Sequence, residues 1–211
     1  MQRHRRAAGF TMIEAIVTLG IFAIMVALGV PAMQKWVANN KVRAVSDNLQ
    51  NGLRLAQAEA LRRSRQVVFT LTSSTPISTT PFPLSAVANG NSWAIYTLPS
   101  MTDGSESPIY VDAGTLTTVG STISVNSGGT VAICFNAAGR LISSSNAALA
   151  TVIGTATCAV PTTGSPPYQK FSITATNADR NLQVNVALGG QVHMCDPHIA
   201  LSAAYPEGCP P

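Results

Sequence analysis

The sequence lacks the signatures of the common enzyme classes. It contains no Walker loop, no G-x-S-x-G elbow and no H-E-x-x-H motif. Only three histidines are present, and two of them, His193 and His198, flank Cys195. The acids from Val67 onward are few and scattered, so none can be paired for general acid–base chemistry. The pattern favours a chain that is not an enzyme, with no catalytic residue and no cofactor.

Charge is also scarce and unevenly distributed. Asp, Glu, Lys and Arg make up 10% of the chain, and the formal net charge is +4. From Val67 onward three basic residues oppose six acids, so this part of the chain carries a charge of −3. The positive charge therefore belongs to the N-terminal leader and to the helical region that follows it.

The N-terminal region holds the only long hydrophobic run. No residue from Ala15 to Met33 is charged, and about 20 such residues span a bilayer core at roughly 1.5 Å per residue. A basic leader with Arg3, Arg5 and Arg6 precedes the run, which favours a cytoplasmic N-terminus. A buried core helix is the simpler alternative, but the position of the run at one end of the chain argues against it. We predict a membrane-spanning helix over residues 10–33.

A cleaved secretory signal peptide shares the order of basic and apolar residues. Such peptides usually have a shorter apolar region without an acid, followed by a small-residue cleavage site. Here Gly9 precedes the run and Glu14 lies inside it. Cleavage after Gly9 would leave the helix on a mature chain that begins at Phe10. An acid in the bilayer costs on the order of 2.5–3.5 kcal/mol on insertion scales. We expect Glu14 to be paired or functional, unless it lies close enough to the membrane face to stay hydrated.

All four cysteines follow the predicted membrane helix, so a cytoplasmic N-terminus places them on the far side of the membrane, in an oxidising compartment. Two disulfides are expected there rather than a metal site. Three connectivities are possible, and we favour neighbours in sequence, Cys134–Cys158 and Cys195–Cys209. Loops of that size contribute about 3 kcal/mol each in the chain-entropy model. Zinc binding at Cys195 with its flanking histidines is the alternative, but the spacing matches no standard ligand pattern.

A second helical pattern follows the apolar run. Apolar residues recur at steps of three and four from Val42 to Ala60, which places them on one face. Residues 34–66 are predicted to continue the helix as an amphipathic segment, and Pro31 weakens or kinks it in between. Three arginines, Arg62, Arg63 and Arg65, stand at its end. They either complement the helix dipole or form a phosphate-binding patch.

After Gln66 the hydrophobic periodicity drops to two, and Ser, Thr, Pro, Gly and Asn separate the apolar segments. This pattern predicts an all-β head over residues 67–211. The predicted strands are Val67–Thr72, Ser92–Leu98, Ile109–Asp112, Thr122–Val125, Thr130–Phe135, Gln169–Thr176, Asn181–Leu188 and Gln191–Met194. The residues from Asn177 to Arg180 are expected to form a hairpin turn, and the Pro-rich stretch 73–91 a long loop.

The N-terminal stretch resembles the class III leader of type IV pilins and pseudopilins. Gly9, Phe10, Thr11, Glu14 and Pro31 all stand where that family has them. The helix end AQAEALRRSRQVVF, the segment ICFNAAGR and the closing FSITATNADRNLQVNVALGGQVHMCDP are similar to the FimT/GspH family of minor pilins and type II secretion pseudopilins. The resemblance implies an α+β fold in which a long N-terminal helix packs on a two-sheet head.

The resemblance also implies how the chain is processed, where it is located and what it assembles with. A prepilin peptidase would remove residues 1–9 and methylate Phe10, so Gly9 and Phe10 form the processing site. Glu14 would then pair with the amino terminus of Phe10, in the same or a neighbouring subunit. The implied partners are prepilin peptidase, inner-membrane lipid and other pilins or pseudopilins that contact the helix. The expected location is the inner membrane, with a periplasmic head, and then a pilus or pseudopilus filament.

DNA binding is the alternative function. Some FimT-type minor pilins bind DNA through a Gly-Arg-x-Arg motif near the C-terminus. The corresponding window here is Gly190-Gln191-Val192-His193, in which Gln and a mostly neutral His replace both arginines. Phosphate binding depends mainly on Lys and Arg, so nucleic acid is an unfavoured partner. Arg62, Arg63 and Arg65 would be the residues to carry it.

Overall fold

The computed structural model describes residues 10–100, 105–116, 122–144, 146–158, 160–162 and 167–210. One long helix packs between two five-stranded sheets of the head, which confirms the predicted α+β class. The predicted leader, residues 1–9, lies outside the described residues. The elements are α1 Met12–Arg63, β1 Val67–Thr72, β2 Ser92–Thr97, β3 Ile109–Thr115, β4 Ile123–Asn126, β5 Ala132–Phe135, β6 Leu141–Ile142, α2 Ala147–Ile153, β7 Tyr168–Ala175, β8 Leu182–Ala187, β9 Val192–Ala200 and β10 Gly208–Cys209.

Helix α1 is continuous over 52 residues, and both of its ends are capped. It begins at Met12 rather than Phe10 because Thr11 is extended (φ −80°, ψ 151°) and caps the first turn. It ends at Arg63, before residue 66, because Ser64 adopts the left-handed conformation (φ 51°) and its N–H donates to the carbonyls of Ala60 and Leu61. Pro31 lies inside the helix without ending it.

The two sheets are ordered β3-β2-β1-β5-β6 and β10-β9-β8-β7-β4. All the pairings are antiparallel except that of β10 with β9. The predicted hairpin between β7 and β8 is present, with Asn177 at φ 67° in its turn. Strands β3 and β9 are longer than predicted, and the short elements β6, β10 and α2 were not predicted.

The main core lies where α1 meets the inner faces of both sheets. The helix contributes a stripe of small and branched side chains, and the sheets contribute larger ones that include Phe69, Trp93, Phe135 and Phe171. The fully buried apolar residues of the helix are Val42, Leu49, Leu53, Ala56 and Ala60. The stripe has the predicted spacing of three and four residues, which places it on one face of the helix. Since that face is buried in the main core, the second half of α1 is part of the head.

A second core covers the opposite face of the first sheet. Helix α2 and the loop around Leu84 pack there against Val68, Tyr96 and Cys134. Consequently every residue of β1, β2 and β5 is buried, rather than every second one. Burial raises the pKa of Tyr96, with the neighbouring Tyr110 as a smaller cause.

Trp93 is fixed in the main core by contacts on several sides. Its Nε1 donates to Asn48 Oδ1 at 2.8 Å, and its ring stacks on Phe69 with centroids 5.7 Å apart. Two glycines, Gly52 on α1 and Gly114 on β3, lie against the same indole. A Cβ at Gly52 would lie 2.9 Å from Trp93 Cε2. The absence of a side chain at Gly52 therefore lets the helix approach the sheet closely.

The Gly52→Ala variant is expected to be less stable than the wild type by about 1–3 kcal/mol, because the new methyl group overpacks the Trp93 site. Alanine has a higher intrinsic helix propensity than glycine, which by itself would stabilise the variant by about 1 kcal/mol. A net loss of stability would therefore show that the packing clash dominates. Thermal unfolding of the detergent-solubilised chain measures it. Gly189→Ala is the control, since a Cβ at that position would meet no neighbouring atom within 4 Å. An unchanged or raised melting temperature for Gly52→Ala would contradict the expectation.

Candidate functional site

The start of α1 brings Glu14 into the capped first turn. Thr11 Oγ1 accepts a hydrogen bond from the Glu14 backbone N–H at 3.3 Å, and the Thr11 carbonyl accepts from Ala15 at 3.2 Å. The Glu14 carboxylate therefore stands near the positive end of the helix dipole. Phe10 precedes the cap and is 86% exposed, whereas Gly9 lies outside the described residues. The T-x-x-E spacing of Thr11 and Glu14 is that of a capping box, and it is the local sequence signal for this helix start.

The first half of α1 makes no buried contact with the head. Every residue from Phe10 to Val37 is exposed, and Ala38 is the first buried one. By length and composition, α1 is the one helix in the described chain that is long and apolar enough to cross a membrane, and the apolar part that would do so is not buried in the head. A core helix of a soluble domain would instead hide these side chains.

Pro31 lies in the exposed half of α1, where the sequence predicted a weak point. Proline has no backbone N–H, so the carbonyl of Ala27 loses its helical donor. The residues on both sides nevertheless remain helical. Pro31 therefore marks one missing backbone hydrogen bond inside a continuous rod.

The helix leaves the head at the β7–β8 turn. Asn39 Oδ1 accepts hydrogen bonds from the backbone N–H groups of Asp179 at 3.0 Å and Arg180 at 3.1 Å. One turn earlier, Lys35 Nζ lies 3.4 Å from Asp179 Oδ1. The two hydrogen bonds to Asn39 hold α1 against the head at the point where the exposed N-terminal part, residues 10–37 (the exposed rod), leaves the head.

Two disulfides join the four cysteines, Cys134 to Cys158 and Cys195 to Cys209. The first attaches the segment after α2 to β5 within the second core. The second holds β10 against the edge of the second sheet. Since the sulfur of Cys195 is bonded to another sulfur, it offers no thiolate to a zinc ion between His193 and His198. No group of three or more His, Cys, Asp or Glu residues suited to a metal ion occurs among the described residues.

The three arginines at the end of α1 are engaged by carboxylates. Glu59 bridges Arg62 at 2.7 Å and Arg63 at 2.6 Å, and Arg65 makes a two-point contact with Glu106 at 2.8 and 3.0 Å. The hydrogen bond from Arg62, assisted by Arg63, holds the pKa of Glu59 below its usual value although partial burial opposes the shift. This arrangement leaves the cluster with less positive potential than the sequence RRSR alone indicates.

The Gly190–His193 window covers the end of the turn from β8 to β9 and the first two residues of β9. Gly190 (φ 87°) packs against the backbone of Gly139, while Gln191 and His193 are exposed. Two cations that sequence reasoning missed lie beside this window. The Arg54 guanidinium donates to the Val192 carbonyl at 3.4 Å, and Arg140 follows Gly139. No local motif links them, because the fold joins distant segments of the chain.

These features match a known family of secretion and pilus proteins. The family model described as "Type II transport protein GspH" matches residues 45–190. The chain belongs to the GspH family. A second model, "Prokaryotic N-terminal methylation motif", matches residues 4–30 and so covers Phe10, Glu14 and the first part of the exposed rod. Membership supports a structural pilus or pseudopilus subunit, and the apolar N-terminal helix fits a membrane anchor.

Two solved structures to which this GspH-family chain is similar share little sequence with it. The type IV minor pilin FimU of Pseudomonas aeruginosa has 14% identity and a TM-score of 0.46, over 75% of this chain and 93% of that one. The minor pseudopilin EpsH of Vibrio cholerae has 11% identity and a TM-score of 0.44, over 75% and 99%. No curated protein matches the chain. Membership therefore rests on the sequence models and not on these structures.

The ion pairs at the helix end generate a prediction for DNA. The wild-type chain is expected to give no shift of duplex DNA in a gel at low salt, because carboxylates engage Arg62, Arg63 and Arg65. A Glu59→Gln and Glu106→Gln double variant is expected to bind non-specifically, with an affinity that falls steeply as salt rises. Asp112→Asn, which changes the charge elsewhere in the head, is the control. A wild-type shift that persists at physiological salt would show a DNA-binding surface that these pairs do not suppress.

Proposed function

We propose that this chain is a minor pilin or pseudopilin. A prepilin peptidase processes it, its helix inserts it in the inner membrane, and it joins or primes a type IV pilus or a type II secretion pseudopilus. The observation that carries the proposal is the exposed apolar half of α1 with a single acid, Glu14, in its first turn. A rod of this composition needs lipid or other helices around it, because water disfavours that much apolar surface.

The proposed organisation follows from the same rod. Residues 1–9 are the leader, 10–33 cross the membrane, 34–66 hold the rest of α1, which ends at Arg63, and 67–211 form the periplasmic head. The leader arginines keep the N-terminus in the cytoplasm. The two disulfides suit the oxidising space on the other side.

In the proposed filament, Glu14 sets the axial stagger between neighbouring helices. In the proposed filament its carboxylate pairs with the amino terminus of Phe10 on the same or a neighbouring subunit. Because an unpaired charge among packed apolar helices is costly, only staggers that bring the two groups together are stable. The apolar side chains then supply contact area, and the carboxylate supplies the alignment.

Processing is tested by the mature N-terminus. The membrane-bound product is expected to begin at Phe10 with one added methyl group, as read by N-terminal sequencing and intact mass. Replacing Gly9 by Leu should leave the unprocessed chain, because a bulky side chain blocks the peptidase. Gly20→Ala, deeper in the rod, should be processed normally. A mature chain that begins beyond Met33 would overturn the proposal.

Assembly is tested at Glu14. Glu14→Ala is expected to lower incorporation into sheared filaments by at least about tenfold, which corresponds to about 1.4 kcal/mol, while the head keeps its melting temperature. Glu14→Gln should fail similarly, because the amide keeps the shape but not the charge. Asp47→Asn is the matched control, since Asp47 is on α1 within the head and makes only a 4.0 Å contact with Arg43. Normal incorporation of Glu14→Ala would remove the register role.

A further inference from the structure

Trp36 stands at the end of the exposed rod, one turn after the last residue of the apolar run. Its side chain is 68% exposed, which is unusual for an indole on a rigid helix adjoining a packed domain. The other tryptophan, Trp93, is only 6% exposed. Tryptophan is enriched at membrane–water interfaces, where its ring lies at the level of the headgroups.

The spacing along α1 places Trp36 at such an interface. Because α1 is a single helix, the 1.5 Å rise per residue separates Glu14 from Trp36 by about 33 Å. The hydrocarbon core of a bilayer is about 30 Å thick. No charged residue lies between Glu14 and Lys35. The two ends of the uncharged segment therefore match the two faces of one bilayer.

The first three charged residues on α1 beyond the apolar run are all positive. Lys35, Lys41 and Arg43 are the first charged residues after Glu14, and the first acid that follows on α1 is Asp47. The Lys41 side chain lines a groove with Val30, Met33 and Val37, so its stem can cover apolar surface while the ammonium reaches water. Lys41 makes no ion pair within the described part of the chain.

Acids of the head also face this region. Asp179 contacts Lys35, but both side chains are more than half exposed, and such a pair contributes little. Asp196 and Glu207 line a separate groove with Arg43 and Arg180. The cations nearest to the apolar run, Lys35 and Lys41, therefore remain available to a negatively charged surface.

We propose that Trp36, Lys35 and Lys41 form a headgroup-docking collar that contacts anionic phospholipid headgroups on the periplasmic face and sets the depth of α1. The inference rests on the proposed membrane insertion and extends it. With the collar at the periplasmic interface, Glu14 reaches the cytoplasmic interface and stays hydrated in the unassembled subunit. Its carboxylate loses water only when the helix is drawn into a filament, where the partner amine replaces that water.

Depth-dependent quenching tests the position of Trp36. The full mature chain is placed in bilayer nanodiscs whose lipids carry bromine either near the glycerol end or near the end of the acyl chain. Bromine near the glycerol end is expected to quench Trp36 fluorescence at least about twofold more strongly. Trp36→Phe gives the background from Trp93. The reverse order of quenching would overturn the collar, whereas no quenching at either depth would overturn membrane insertion and hence the proposed function.

Lipid selectivity tests the two lysines. Energy transfer from Trp36 to a headgroup-labelled anionic lipid is compared with transfer to the same label on a zwitterionic lipid at low salt. The wild-type ratio is expected to be about two and to fall to about one in the Lys35→Gln, Lys41→Gln double variant. Arg140→Gln removes an exposed charge near the other end of the head and should keep the wild-type ratio. A double variant with the wild-type ratio would overturn the role of the lysines.

Discussion

The structure depends on one helix that meets two environments. Up to Val37 the side chains of α1 are exposed on every side, and from Ala38 a single stripe turns into the head. Both halves have the same α-helical backbone, so the difference in their burial follows from their side chains. An apolar residue at nearly every position requires apolar surroundings on all sides. Apolar residues at steps of three and four require them on one side only.

That constraint explains why the head is built around α1 rather than beside it. Neither sheet has a complete core without the helix, because Phe69 and Trp93 of one sheet and Phe171 of the other meet the same helical stripe. Small residues on the helix, such as Gly52 and Ala56, make room for these rings. A pull on the exposed half would therefore be transmitted directly to the head, with Asn39 and the β7–β8 turn at the boundary.

Much of this fold was predictable from periodicity, because its signals are local. The helix, its buried stripe and the principal strands follow from spacings of three, four and two residues. The burial of β1 on both faces did not follow from that rule. It arises because α2 and the loop around Leu84 cover the outer face, and nothing local to Val67–Thr72 specifies that cover. Strand β10 depends likewise on a neighbour, β9, and on the Cys195–Cys209 bond.

The residues of the candidate site also differ in how far the sequence alone reveals their roles. Glu14 and Pro31 are conspicuous in sequence because each violates the pattern around it. The ion-pair partners of the arginines cannot be identified from local sequence, since Arg65 and Glu106 are 41 positions apart in the chain. This difference bears on how the subunit would recognise others. Once Glu59 and Glu106 engage the helix-end cations, the slightly acidic head offers little charge for strong, specific attraction. In the proposed assembly the exposed rod therefore supplies the contact area, and its single carboxylate, Glu14, sets the register.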